Sequence, residues 1–69
     1  MDDADKLHHL LEHWCEHNAS HREEFERWAG RARNAGLTAV AAAIGDAGRA
    51  LDEATACLQR AREQLEGGA

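Results

Sequence analysis

Proline is absent from the 69-residue chain, so nothing interrupts a helix by locking φ or removing an amide proton. With the wealth of Ala, Glu, Arg and Leu, this points to helix throughout and excludes a β-sandwich or barrel. Basic residues are scarce: eight Lys and Arg stand against thirteen Asp and Glu, for a net charge of -5 with histidine neutral. The deficit is spread over both halves, so neither nucleic acid nor an anionic membrane surface finds the basic face it needs. No apolar run approaches the roughly 20 residues that span a bilayer. The opening Met1-Asp2-Asp3-Ala4-Asp5 lacks the basic and apolar segments of a secretion signal, so a cytoplasmic address is expected. Cysteine is sparse too; Cys15 and Cys57 form no CxxC and are expected to be free thiols there.

Large apolar side chains are also in short supply. Of 30 apolar residues, 15 are alanine and two cysteine, leaving only 13, Met1 among them. That is little to set against the entropy of ordering the chain. A metal, a disulfide or a second subunit is expected to complete the fold.

What is present is periodic. Apolar residues at 7, 11, 14, 25, 28, 32 and 35 step by three and four, with Asn18 and His21 in the same register. Asp2 or Asp3 can cap the helix start, and Gly36 suits a left-handed residue past its end. The first helix is expected over residues 4–34, the turn over 35–37 and the second helix over 38–66. Thr38 is read as the second N-cap, with Leu37 as a hydrophobic staple. The second seam reads Leu37, Val40 or Ala41, Ile44, Ala47 or Gly48, Leu51, Ala54 or Thr55, Leu58, Ala61 and Leu65, and Gly67 and Gly68 end it. Gly45 and Gly48 are its weak point, but the repeat stays in phase across them, so one helix is expected.

A turn of this length makes the helices antiparallel, giving an all-α helical hairpin in a single domain over 1–69. Folding about Gly36 pairs residues whose numbers add to about 72, so Trp14 meets Leu58 and His21 meets Leu51. Leu10, Trp28 and the flank Ala47, Ala54, Ala61 stay wet in such a hairpin. A symmetric homodimer forming a four-helix bundle covers them, and is the expected state.

All five histidines lie within the first 21 residues, and His9, His13, His17 and His21 are spaced i, i+4. With Trp14 at the centre of the seam, His21 lies about 20° away, His17 about 60°, His13 about 100° and His9 about 140°. The ladder therefore climbs inward, with Glu24 extending the row. Imidazoles one turn apart converge on a metal, and Zn²⁺, Ni²⁺, Co²⁺ and Cu²⁺ all accept them. A two-fold partner bringing its own His17 and His21 would complete four-coordination. Ligand imidazoles must be neutral, so binding is expected to fade below about pH 6. Cys57 is a soft donor near the same height, while His8 and His9 read as solvated surface. The other reading of the buried histidines is a polar layer that fixes the register of a protein interaction module. Catalysis is not expected: neither seam carries a glutamate for a di-iron site, no glycine loop cradles a phosphate, and Cys15 faces away from the histidines.

The run from His13 to His21, followed by Phe25 and Trp28-Ala29, resembles the His-Trp-x-x-His-Asn-x-x-His pattern of small, poorly characterised helical-hairpin domains of bacteria and archaea. The resemblance covers most of the chain. It implies a helical hairpin and metal association through His13, His17 and His21, and it brings no activity. The sequence thus leads to a dimerising hairpin that holds a transition metal through His13, His17, His21 and Glu24, for storage, delivery or sensing.

Overall fold

The computed structural model describes residues 2–67. Two helices account for nearly all of them: α1 spans Asp3–Asn34 and α2 spans Thr38–Glu66. They pack side by side as an antiparallel hairpin of 50 × 18 × 12 Å. The expected boundaries hold to within a residue. Met1, counted among the large apolar residues, and Gly68, read with Gly67 as ending the second helix, lie outside the described residues.

Local chemistry sets the ends. The Asp2 carboxylate accepts from the Asp5 amide at 2.9 Å, capping α1, while Asp3 and Asp5 place negative charge where the helix dipole favours it. At the other end Gly36 adopts φ 81°. Its amide donates to the Arg33 carbonyl at 3.0 Å, and the Leu37 amide donates to Ala32 at 2.9 Å. This double closure requires a left-handed residue, which glycine supplies without strain. The closure also shifts the next helix start. Leu37 sits at the cap position and Thr38 is already helical, so α2 has no side-chain cap.

No break occurs at Gly45 or Gly48. Gly48 is buried against α1, and the Arg22 guanidinium lies where its side chain would be: a Cβ there would stand 2.8 Å from Arg22 Nη1. Arg22 reaches over this gap so that its Nε donates to both oxygens of Asp52 at 3.1 Å.

The inner seam of α1 is His8, Leu11, Cys15, Asn18, Arg22, Phe25, Ala29 and Ala32; these positions are buried or half-buried. On α2 it is Ala41, Ile44, Gly48, Leu51, Thr55, Leu58, Arg62 and Leu65. Both step strictly by three and four, the knobs-into-holes repeat. Only Leu11, Ala29 and Ala41 are buried apolar residues among those described. Midway, Asn18 Nδ2 donates to Thr55 Oγ1 at 3.2 Å, and that hydroxyl donates to the Leu51 carbonyl at 3.0 Å. The cross-helix partners Asn18–Thr55 and Arg22–Asp52 have numbers adding to 73 and 74, so the pairing height matches expectation.

The rotation of α1 does not. The seam centres on Leu11 and Ala29, about 60° from Trp14. Trp14 and Trp28 are 40% and 50% exposed, and Leu10 is 43% exposed. The expected seam had mixed two neighbouring rows of one helix.

Candidate metal site

Rotating α1 by about 60° carries the histidine ladder outward. His9, His13 and His17 are exposed and His21 is half-buried at the seam's edge. The expectation that His17 faces the core is therefore corrected, and so is the one that His21 sits near its centre. His8 is corrected in the other direction. It joins the inner seam, half-buried, with Nε2 2.9 Å from Glu66 Oε2.

Within the ladder one rung closes. Nε2 of His21 lies 2.8 Å from Nε2 of His17, one ring donating its proton to the lone pair of the other. Their centroids are 4.4 Å apart with the rings nearly perpendicular, whereas His13 and His17 stand 6.0 Å apart. Glu24 stands near the other nitrogen of His21, with Oε1 3.8 Å from Nδ1. It therefore sits on the far side of the ring from His17, where a carboxylate can orient an imidazole. Phe25 lies beyond, its centroid 6.0 Å from that of His21.

The pair is chemically apt for a metal. Two imidazole nitrogens on a tetrahedral ion at about 2.0–2.1 Å stand roughly 3.3 Å apart, so small ring rotations convert this contact into a chelate. One chain supplies no more than that. Among the described residues, no three His, Cys, Asp or Glu side chains gather in metal-binding geometry. His13 stays one rung away, and Cys57 is exposed, its Sγ accepting from Arg60 Nη2 at 3.1 Å. Cys15 lies half-buried on the inner seam, and neither cysteine is in a disulfide.

Around the pair runs a second row on α1, one residue before the inner seam at every step: Leu7, Leu10, Trp14, His17, His21, Glu24, Trp28 and Arg31. Leu7, Leu10, Trp14 and Trp28 on it, with Leu37 and Val40 of the turn and α2, are the large exposed apolar residues. The Arg31 guanidinium lies over the Trp28 ring, 4.5 Å from its centroid. No pocket opens among the described residues, and no described helix is long and apolar enough to cross a membrane. The links Arg22–Asp52 and His8–Glu66, which the sequence reading had not singled out, mark the opposite, polar side of the hairpin.

A family model described as Domain of unknown function (DUF8180) matches residues 7–65. No curated protein and no solved structure matches the chain.

Proposed function

We propose, on the premise that the chain belongs to the DUF8180 family, whose function is unassigned, that it is a small transition-metal-binding hairpin. It would hold Ni²⁺, Zn²⁺, Co²⁺ or Cu²⁺ for storage, delivery or sensing in the cytoplasm. The observation that carries this reading is the convergence of His17 Nε2 and His21 Nε2 at 2.8 Å on an accessible face. His17 and His21 are the primary ligands, Glu24 orients His21, and His13 is the neighbouring imidazole that can swing in. All four metals accept imidazole, and selection among them follows from geometry and supply.

Calorimetric titration of each metal into tag-free, chelator-treated protein tests the proposal. His17→Ala and His21→Ala should each weaken binding more than tenfold, and Glu24→Gln by less. If both histidine variants bind as tightly as the parent, the assignment goes.

The exposed row of Leu7, Leu10, Trp14 and Trp28 favours a second reading, a protein interaction module whose histidines are a polar layer. That module is fully folded without metal, and its melting temperature ignores added Ni²⁺ or Zn²⁺.

A further inference from the structure

We propose that the outer row of α1 is covered by the same row of a second copy, running antiparallel, so that two His17–His21 pairs meet in one shared metal site. The interface stands on its own observations; the shared metal site rests on the reading above.

The first observation is a symmetry in the row. Its members mirror one another about residue 19: His17 with His21, Trp14 with Glu24, Leu10 with Trp28, Leu7 with Arg31. A two-fold axis perpendicular to α1 at that point sets each residue opposite its mirror mate in the partner. Three of the four resulting pairs are complementary, Leu7 with Arg31 being the fourth. Leucine meets an indole ring, the tryptophan Nε1–H meets a carboxylate, and imidazole meets imidazole. The axis lies between the two histidine layers, so the imidazoles of both copies are neighbours.

The second observation is on α2 and shares no residue with the first. Cross-helix partners have numbers adding to 73 or 74, so the axis that passes residue 19 of α1 passes residues 54–55 of α2. The flank of α2 there, one residue before its inner seam, carries a run of small exposed residues, Ala43, Ala47, Ala50, Ala54, Cys57 and Ala61. Small side chains there let the two α2 helices approach while α1 accommodates tryptophan and histidine. Both rows lie on the side away from the Arg22–Asp52 and His8–Glu66 links, and so form one face. The side is bounded by 50 × 18 Å, at most about 900 Å², so nearly all of it has to be covered to reach the roughly 800 Å² per partner of a standard stable interface.

Sedimentation equilibrium, metal stoichiometry and cross-linking on the full, tag-free chain test this. The parent is expected to be a dimer that takes up one Ni²⁺ or Zn²⁺ per two chains. Leu10→Glu and Trp28→Glu should be monomeric yet as helical as the parent by circular dichroism, because both positions are exposed in the hairpin. Their metal affinity should fall more than tenfold, two ligands replacing four. In a Cys15→Ser, Cys57→Ser background, Leu10→Cys mixed with Trp28→Cys should cross-link on oxidation, and neither alone should.

A parent chain that stays monomeric to roughly 100 μM, with or without metal, overturns the inference and leaves a one-chain His17–His21 site standing. Cross-linking by Leu10→Cys alone overturns the register. A dimer that takes one metal per chain, or Leu10→Glu binding as tightly as the parent, overturns the shared site. A dimer of the stated register that binds no metal sinks the metal reading and the shared site together, and upholds the interface.

Discussion

Two rows run the length of α1, one residue apart, and the hairpin buries the less hydrophobic of them. The inner row contributes Leu11 and Phe25 as its only large apolar residues and spends positions on Asn18 and Arg22. The outer row holds Leu7, Leu10, Trp14 and Trp28. Size decides which row the hairpin takes. Ala29, Ala32, Ala41 and Gly48 let the helix axes come close, and two indoles would hold them apart. The polar members of the inner row meet fitted partners, Asn18 on Thr55 and Arg22 on Asp52, so no described side-chain polar atom is buried without one. A seam of this kind fixes register well and contributes modest hydrophobic energy. The outer row has the opposite character, with large apolar area and nothing in the single chain to cover it.

The contrast is broken most forcefully at Leu11 and Leu10, neighbours in sequence on different rows. Leu11 is 5% exposed, and Leu11→Ala is expected to cost about 2–5 kcal/mol, enough to unfold much of so small a domain. Leu10→Ala should cost less than about 0.5 kcal/mol at high dilution. At higher protein concentration it should cost more, because association stabilises only the parent. Urea titrations followed by circular dichroism at two protein concentrations separate these outcomes. Equal losses at both positions, independent of concentration, would show that the rows do not differ as described.

That neighbouring pair also explains what the sequence could and could not yield. Helix limits, the antiparallel turn and the pairing height were legible because each is written locally: the Asp2 cap, the left-handed Gly36, the phase of the α2 repeat. Rotation was not. Positions 7, 14 and 28 belong to the outer row and 11, 25 and 32 to the inner, and a search for apolar spacing blends them because both keep the same period. Polar pairs carried the missing signal. Arg22 and Asn18 match Asp52 and Thr55 at pairing sums of 74 and 73, which would have turned α1 to its observed face. The i, i+4 spacing marked His17 and His21 as neighbours, but His13 and His17 share that spacing and stand 6.0 Å apart, so it did not say which rung closes. It could not show that Glu24 lies at Nδ1 of His21, since that depends on which way the ring is turned.

A smaller effect sharpens the account of the inner row at two glycines of α2. Gly45 has open space where a side chain would stand, apart from Arg49 Nη1 at 3.8 Å. Gly45→Ala should therefore stabilise the hairpin by up to about 1 kcal/mol, the usual helix-interior difference. Gly48→Ala offers the same backbone gain but would place its Cβ 3.0 Å from Arg22 Cζ, forcing the guanidinium off Asp52. The gain should be reduced or cancelled, and Arg22→Ala should restore it in the double variant. Denaturant midpoints for the four proteins check this. Full stabilisation by Gly48→Ala alone would mean that Arg22 does not lie across the seam in solution.

The smallest effect is at the open end, where the inner row begins with His8. Its hydrogen bond to Glu66, with Arg62 Nε 3.5 Å from the same oxygen, holds the Glu66 carboxyl below the ordinary glutamate range. A carboxyl with a lowered folded-state value stabilises the fold at pH above its unfolded value, about 4.3, and loses that contribution as pH falls through the folded one. The parent should therefore shed a little stability in this acid window, and Glu66→Gln should shed less. Both side chains are partly exposed, so salt screens the link and the difference should shrink at high ionic strength. Urea midpoints from pH 3 to 6, at low and high salt, read the difference directly. The outer row should not notice: oligomeric state in the same window should be equal for parent and Glu66→Gln, because this link lies on the opposite side of the hairpin.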